Sequence, residues 1–279
     1  MCKLRLRVAA LCAVAAALVL ISCNSGPSAP QPGTPAFYWA AANQTWAAGD
    51  YVKTLDNLAR IADSQNDFTA RARPWRIVTA AGIAQGYVDL ADAFEKGAHA
   101  TRQRPAEFLR QMNAYRTSAS RASLQLVEAF RAFSSKDASV PLEFAWPPVG
   151  SAAFPQRLPQ IRAGTLLAAD QMDAVELAML QRGVLLAVTR VTGAEEDAVK
   201  AQAALNANHS VTQEQFSVGV AQQMFQLASL YGSTKMDMPN KRDLLYSQAI
   251  GVLKLYPKNK AAADITTKIQ KEQKKSRVI

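Results

Sequence analysis

The sequence predicts an all-α protein in which antiparallel helix pairs stack as an α-solenoid or bundle, interrupted by one long proline-rich loop. Three observations predict this. Beyond Pro35, apolar residues recur three and four positions apart almost throughout, which places them on one face of a helix. Alanine leads an apolar fraction of 49%, ahead of valine, isoleucine and the aromatics, and alanine has the highest intrinsic helix propensity. Helix-start residues precede several of the apolar runs.

The elements follow in order. Asp50 can cap a helix over 51–63 and separates it from one over 36–48. Pro74 and Pro105 suit first-turn positions, where the missing N–H has no partner to lose, and predict helices over 74–97 and 105–134. Within the second, Phe108, Met112, Tyr115, Ala119, Ala122, Leu126, Ala129 and Phe133 alternate four and three residues apart as one buried seam. Leu177, Leu180, Val184, Ala187 and Val191 mark a helix over 164–191. Thr192 with Glu195 and Thr212 with Gln215 match capping boxes, for helices over 194–208 and 212–232. Phe216, Val220, Met224, Leu227 and Tyr231 form the seam of the latter. Asn240 can cap a helix over 240–256, with Leu245, Ala249, Val252 and Tyr256 inward, and the last helix covers 260–275. No segment alternates as a strand does.

Ser134 to Gly164 breaks the helical pattern with Pro141, Pro147, Pro148, Pro155 and Pro159, and carries Phe144, Trp146 and Phe154. Long loops inside compact domains are uncommon and often functional, which makes these three aromatics candidate binding residues. The alternative is that their rings cover the flank of neighbouring helices.

Residues 1–22 have the layout of an export signal: Lys3, Arg5 and Arg7, then an apolar run from Val8 to Ile21 too short for a permanent span. The ending Leu20-Ile21-Ser22-Cys23 resembles the lipobox of bacterial lipoproteins. That resemblance implies lipidation of Cys23 and a membrane anchor, and Asn24 after the cysteine favours the outer membrane, facing the periplasm. Residues 23–35 then form a tether, with four prolines, two glycines, two serines and no charge between Asn24 and Pro35. A helical domain over 36–279 completes the organisation.

Composition narrows the chemistry. Cys2, Cys12 and Cys23 are the three cysteines, so nothing beyond position 23 can form a disulfide or a thiolate metal site. With His99 and His209 the only histidines, we expect no metal centre, no cofactor and no catalytic constellation. Glu195-Glu196-Asp197 suits the positive end of a helix rather than acid–base work. Gly82 and Gly86 lie within a helical pattern, where close packing accounts for them better than a phosphate loop. The net charge of +10 becomes +7 after removal of the signal, with 29 basic residues against 22 acidic. Compartment argues against nucleic acid, and the lysine-rich end (Lys258, Lys260, Lys268, Lys271, Lys274, Lys275, Arg277) can contact an anionic surface or remain a solvated face.

A period near 34 residues is suggested at two places. Tyr38, Ala42, Trp46, Gly49-Asp50-Tyr51, Leu55 and Leu58, and later Leu245, Ala249, Val252, Tyr256-Pro257, Asn259, Ala262 and Ala263, are spaced as in a tetratricopeptide unit. The chain thus resembles tetratricopeptide lipoproteins, including the T component of TRAP transporters and outer-membrane assembly lipoproteins. The resemblance implies a scaffold for a protein or peptide partner without chemistry of its own. The alternatives are an uptake accessory holding a small hydrophobic or organic-acid solute and, at a distance, an envelope hydrolase. An open groove lined by Asn, Arg and Tyr separates the peptide reading from the enclosed apolar tunnel of a solute carrier.

Overall fold

A computed structural model describes residues 30–133, 141–143, 155–193, 200, 203, 210–233 and 235–276. Among them the fold is all-α, with helices α1 (Pro35–Ala47), α2 (Tyr51–Ala62), α3 (Thr69–Ala100), α4 (Pro105–Ala132), α5 (Leu158–Arg162), α6 (Ala169–Thr192), α7 (Gln213–Ala228), α8 (Pro239–Leu253) and α9 (Lys260–Ser276). A 3-10 turn, Ser229–Tyr231, extends α7. Two three-residue strands, β1 (Pro141–Glu143) and β2 (Ser210–Thr212), pair antiparallel with Leu142 opposite Val211.

α3 is the spine. Its 32 residues pack against α2, α4, α5, α6 and α7, and its central turns are buried around most of their circumference. Such a helix must be apolar or small on nearly every side, and the run Ile77 to Ala84 is. The larger core cluster gathers α1, α2 and the first half of α3 with the second halves of α4 and α6 and with α7, α8 and α9. A smaller one joins Leu90 and Phe94 of α3 to Phe108 and Met112 of α4, Leu158 and Ile161 of α5 and Val175 of α6. Tyr87 packs against both clusters.

Short helix pairing is confined to the ends. Between α1 and α2, Trp46 meets Tyr51 edge-on with ring centroids 5.2 Å apart and lies 5.0 Å from Trp75 of α3. Thr45 and Thr54 share a 2.9 Å hydroxyl hydrogen bond across the corner, and Thr54 is fully buried. Gly49 turns this corner with φ +78°, in the left-handed region that favours glycine. α3 and α4, of 32 and 28 residues, depart from the short-pair pattern and give the centre a bundle character.

Several local expectations hold. Asp50 accepts from Lys53 N, Pro105 opens α4, and of the Thr212–Gln215 capping box the first half forms, with Thr212 accepting from Gln215 N while the Gln215 side-chain amide donates to Thr192 O. The α4 seam is buried from Phe108 to Ala129, with Phe133 half-buried just past the helix end. Other expectations require correction. α3 starts at Thr69, so Pro74 lies inside it rather than in its first turn. The early start has a local cause: Thr69 Oγ1 donates to Ser64 O at 2.7 Å and accepts from Asn66 N at 2.9 Å, while Asn66 Oδ1 accepts from Phe68 N.

Thr192 is the last residue of α6, not a cap for a following helix, and its hydroxyl turns back to Val188 O. Glu195 lies outside the described residues. Asn240 follows Pro239 into α8 rather than preceding the helix. Leu177, assigned to a buried seam, is 44% exposed, whereas Leu180, Val184, Ala187 and Val191 are buried. α6 begins at Ala169, five residues after the expected start, and the stretch read as continuous loop contains β1 and α5. β1 and β2 were not foreseen because three residues are too few to show alternation.

Candidate functional site

A cleft of about 790 Å³ opens where α3, the end of α6, α7, α8 and the end of α9 converge. The second half of α3 supplies Gln85, Asp89 and Asp92, four and three residues apart and therefore on one face, with Val88 beside them. α6 adds Arg190, α7 adds Phe225, Gln226 and Leu227, and the loop after the 3-10 turn adds Lys235. Arg242 and Tyr246 of α8 and Glu272 and Lys275 of α9 complete the wall. Phe225 and Tyr246 stack, with centroids 6.1 Å apart and planes at 28°.

A hydrogen-bonded relay underlies the cleft. Arg190 Nη1 donates to Gln223 Oε1, Gln223 Nε2 to Gln85 Oε1 at 3.3 Å, and Gln85 Nε2 to Asp89 Oδ1 at 2.9 Å. Gln223 is buried, so the two amides need these partners, and their linkage fixes the rotamer of each. Burial, with a smaller contribution from neighbouring Asp92, raises the Asp89 carboxyl above its ordinary range. The Gln85 hydrogen bond and the charges of Arg182 and Arg190 oppose the rise without cancelling it.

The cleft's cations have acceptors. Lys235 pairs with Asp92, Lys275 with Glu272 at 2.9 Å, and Arg242 Nε with Asp243 at 3.4 Å. The loop bearing Lys235 is tied back to the bundle. Arg116 of α4, itself paired with Glu95 at 3.1 Å, directs Nη1 to Lys235 O at 3.5 Å. In the same loop Asp237 adopts φ +47°, a conformation aspartate tolerates better than most residues, and its N–H donates to Gly232 O at 3.0 Å.

A second polar centre lies at the junction of α3, α4 and α6. Tyr87 and Tyr115 stack 5.9 Å apart, and each hydroxyl donates to a different oxygen of Glu176, both at 3.1 Å. Burial foremost, and then the Glu176 charge and hydrogen bond, push both phenols well above the usual tyrosine range. Glu176 also borders a hollow of about 360 Å³ with Asp173, Leu177 and the Gly49–Tyr51 corner. The arrangement accepts and donates hydrogen bonds but presents no nucleophile–base pair.

The sequence-predicted binding residues Phe144, Trp146 and Phe154, and the lipidation residue Cys23, lie outside the described residues, as does His209. His99 is exposed in the last turn of α3. Lys258, Lys260, Lys268, Lys271, Lys274 and Lys275 are all exposed. Among the described residues no group of three or more His, Cys, Asp or Glu side chains is placed to hold a metal ion, and no helix is long and apolar enough to cross a membrane.

Sequence reasoning missed the cleft. Its trace was there, in the polar stripe Gln85, Asp89, Asp92 along an otherwise apolar helix and in a glutamine at Gln223 within an apolar run. Compared with protein-family models, curated proteins and solved structures, the chain matches none.

Proposed function

We propose that this chain is a membrane-tethered, periplasm-facing helical scaffold lipoprotein that binds a protein or peptide partner in the cell envelope, through the cleft on α3. The lipobox-like Leu20-Ile21-Ser22-Cys23 and the uncharged tether support the anchoring. The cleft supports the binding mode, and its lining is the observation that carries the reading. Charged side chains of both signs and a tyrosine line a space open to solvent, which suits the alternating donors, acceptors and charges of a peptide. A carrier for a hydrophobic solute would be served better by enclosed apolar walls.

Site-specific photocrosslinking in native envelopes tests this reading. A crosslinker at exposed Ser229 or Ser233, both on the cleft wall, is expected to trap a discrete partner, and one at exposed Leu109 on α4 is not. Equal adducts from Leu109, or none from the cleft, would overturn it.

A further inference from the structure

We infer that the cleft recognises a basic side chain, a lysine or arginine of the bound peptide, with Asp89 as its counter-charge. The inference rests on the peptide-binding reading above and names the chemistry of the partner. Two acceptors in the cleft wall carry it.

The first is Asp89. One of its oxygens accepts from Gln85, and among the described residues Asp89 forms no other hydrogen bond and no ion pair. Asp92 and Glu272, the other carboxylates lining the cleft, each hold a cation, and Asp89 holds none among the described residues. It is desolvated, yet the relay through Gln85 and Gln223 holds it facing the cleft rather than letting it turn outward. Arg182 and Arg190 act on it electrostatically, favouring its charged form. The second acceptor is Gln226, whose Oε1 is buried in the same wall without a hydrogen-bond partner. Buried acceptors are normally satisfied, and a small rotation of this side chain toward the cleft would offer its oxygen to a donor from the ligand.

Both vacancies ask for N–H donors. An ammonium or guanidinium supplies several, with positive charge that a partly desolvated carboxylate rewards more than one in water does. The methylene stem of such a side chain has an apolar path along Val88, Phe225 and Leu227. An acidic side chain would meet Asp89 without a proton and leave Gln226 unsatisfied.

The test is isothermal titration of the detergent-solubilised, lipidated full chain with acetylated and amidated Ala-Ala-Xaa-Ala-Ala peptides, where the central residue is lysine, arginine, norleucine or glutamate. The lysine and arginine peptides are expected to bind about tenfold or more tightly than the norleucine peptide, as a charge-assisted hydrogen bond in a sheltered site allows. Asp89→Asn should abolish that preference with an unchanged circular-dichroism spectrum, and Asp89→Glu should retain part of it. A basic preference that survives in Asp89→Asn would overturn the assignment. Tightest binding of the glutamate peptide would overturn it too, while leaving peptide binding in place. If no peptide binds but Ser229 and Ser233 still crosslink a partner, the basic-side-chain inference alone falls; without crosslinks, both readings fall.

Discussion

Gly183 of α6 lies directly against Gly82 of α3, so closely that a Cβ on Gly183 would overlap the Gly82 carbonyl oxygen and come within 2.8 Å of Gly86 N. The fit is reciprocal, since a Cβ on Gly82 would come within 2.6 Å of Val184 N. This contact sets how near the two longest-reaching helices of the cleft approach, and hence how Arg190 of α6 reaches the relay that starts on α3. We expect Gly183→Ala to destabilise the fold by about 1–3 kcal/mol through overpacking against backbone that cannot move aside. Gly251→Ala in α8, where a Cβ meets nothing within 4 Å, should instead stabilise it by about 0.4–1 kcal/mol. Denaturant titration of both variants measures the contrast.

The two phenols on Glu176 give the fold an alkaline limit. Both lie well above the ordinary value of 10.0 when folded, so the folded state keeps protons that the unfolded chain gives up. By linkage their contribution is fully present below pH 10 and is lost as pH rises from there through the folded values. Stability measured from pH 8 to 11 should fall at the upper end, and the fall should be smaller in Tyr87→Phe with Tyr115→Phe. At neutral pH each substitution should cost about 1 kcal/mol for its lost hydrogen bond.

Asp89 has the opposite relation to stability from most carboxylates. Its folded value is raised, so its favourable contribution is present below 3.8, the ordinary value, and is lost as pH rises through the folded one. Burying it in charged form is therefore unfavourable at neutral pH. Asp89→Asn is expected to melt at the same or a higher temperature at pH 7, with any gain vanishing below pH 3.8. Thermal melts at both pH values check this, and a large loss at pH 7 would make Asp89 a structural residue.

Cys23→Ser should release the protein from membranes without altering its melting curve, because Cys23 precedes every helix among the described residues and only its thiol can take the lipid. Fatty-acid labelling with fractionation measures both effects. Label that persisted on the variant would end the lipoprotein reading.

By itself the sequence determined the all-α class, most of the helices and the inward face of α4, because each depends on residues within a few turns of one another. The 3.6-residue repeat writes the Phe108–Ala129 seam directly into the chain, and the caps at Asp50 and Thr212 act across three residues. Even the close packing of Gly82 and Gly86 was legible, as small residues inside a helical run. Tertiary structure alone decided the rest. Pro74 became a helix-interior residue because contacts from Ser64 to Thr69 nucleate α3 a turn earlier, and Leu177 is left partly exposed against the Gly49 corner while Leu180 and Val184 turn into the core. The cleft depends on Gln85 meeting Gln223, 138 positions away, and Lys235 meeting Asp92, 143 away. No local period encodes such pairings; they follow from how close glycines let α3 and α6 approach, and from where that approach leaves α7, α8 and α9 to pack.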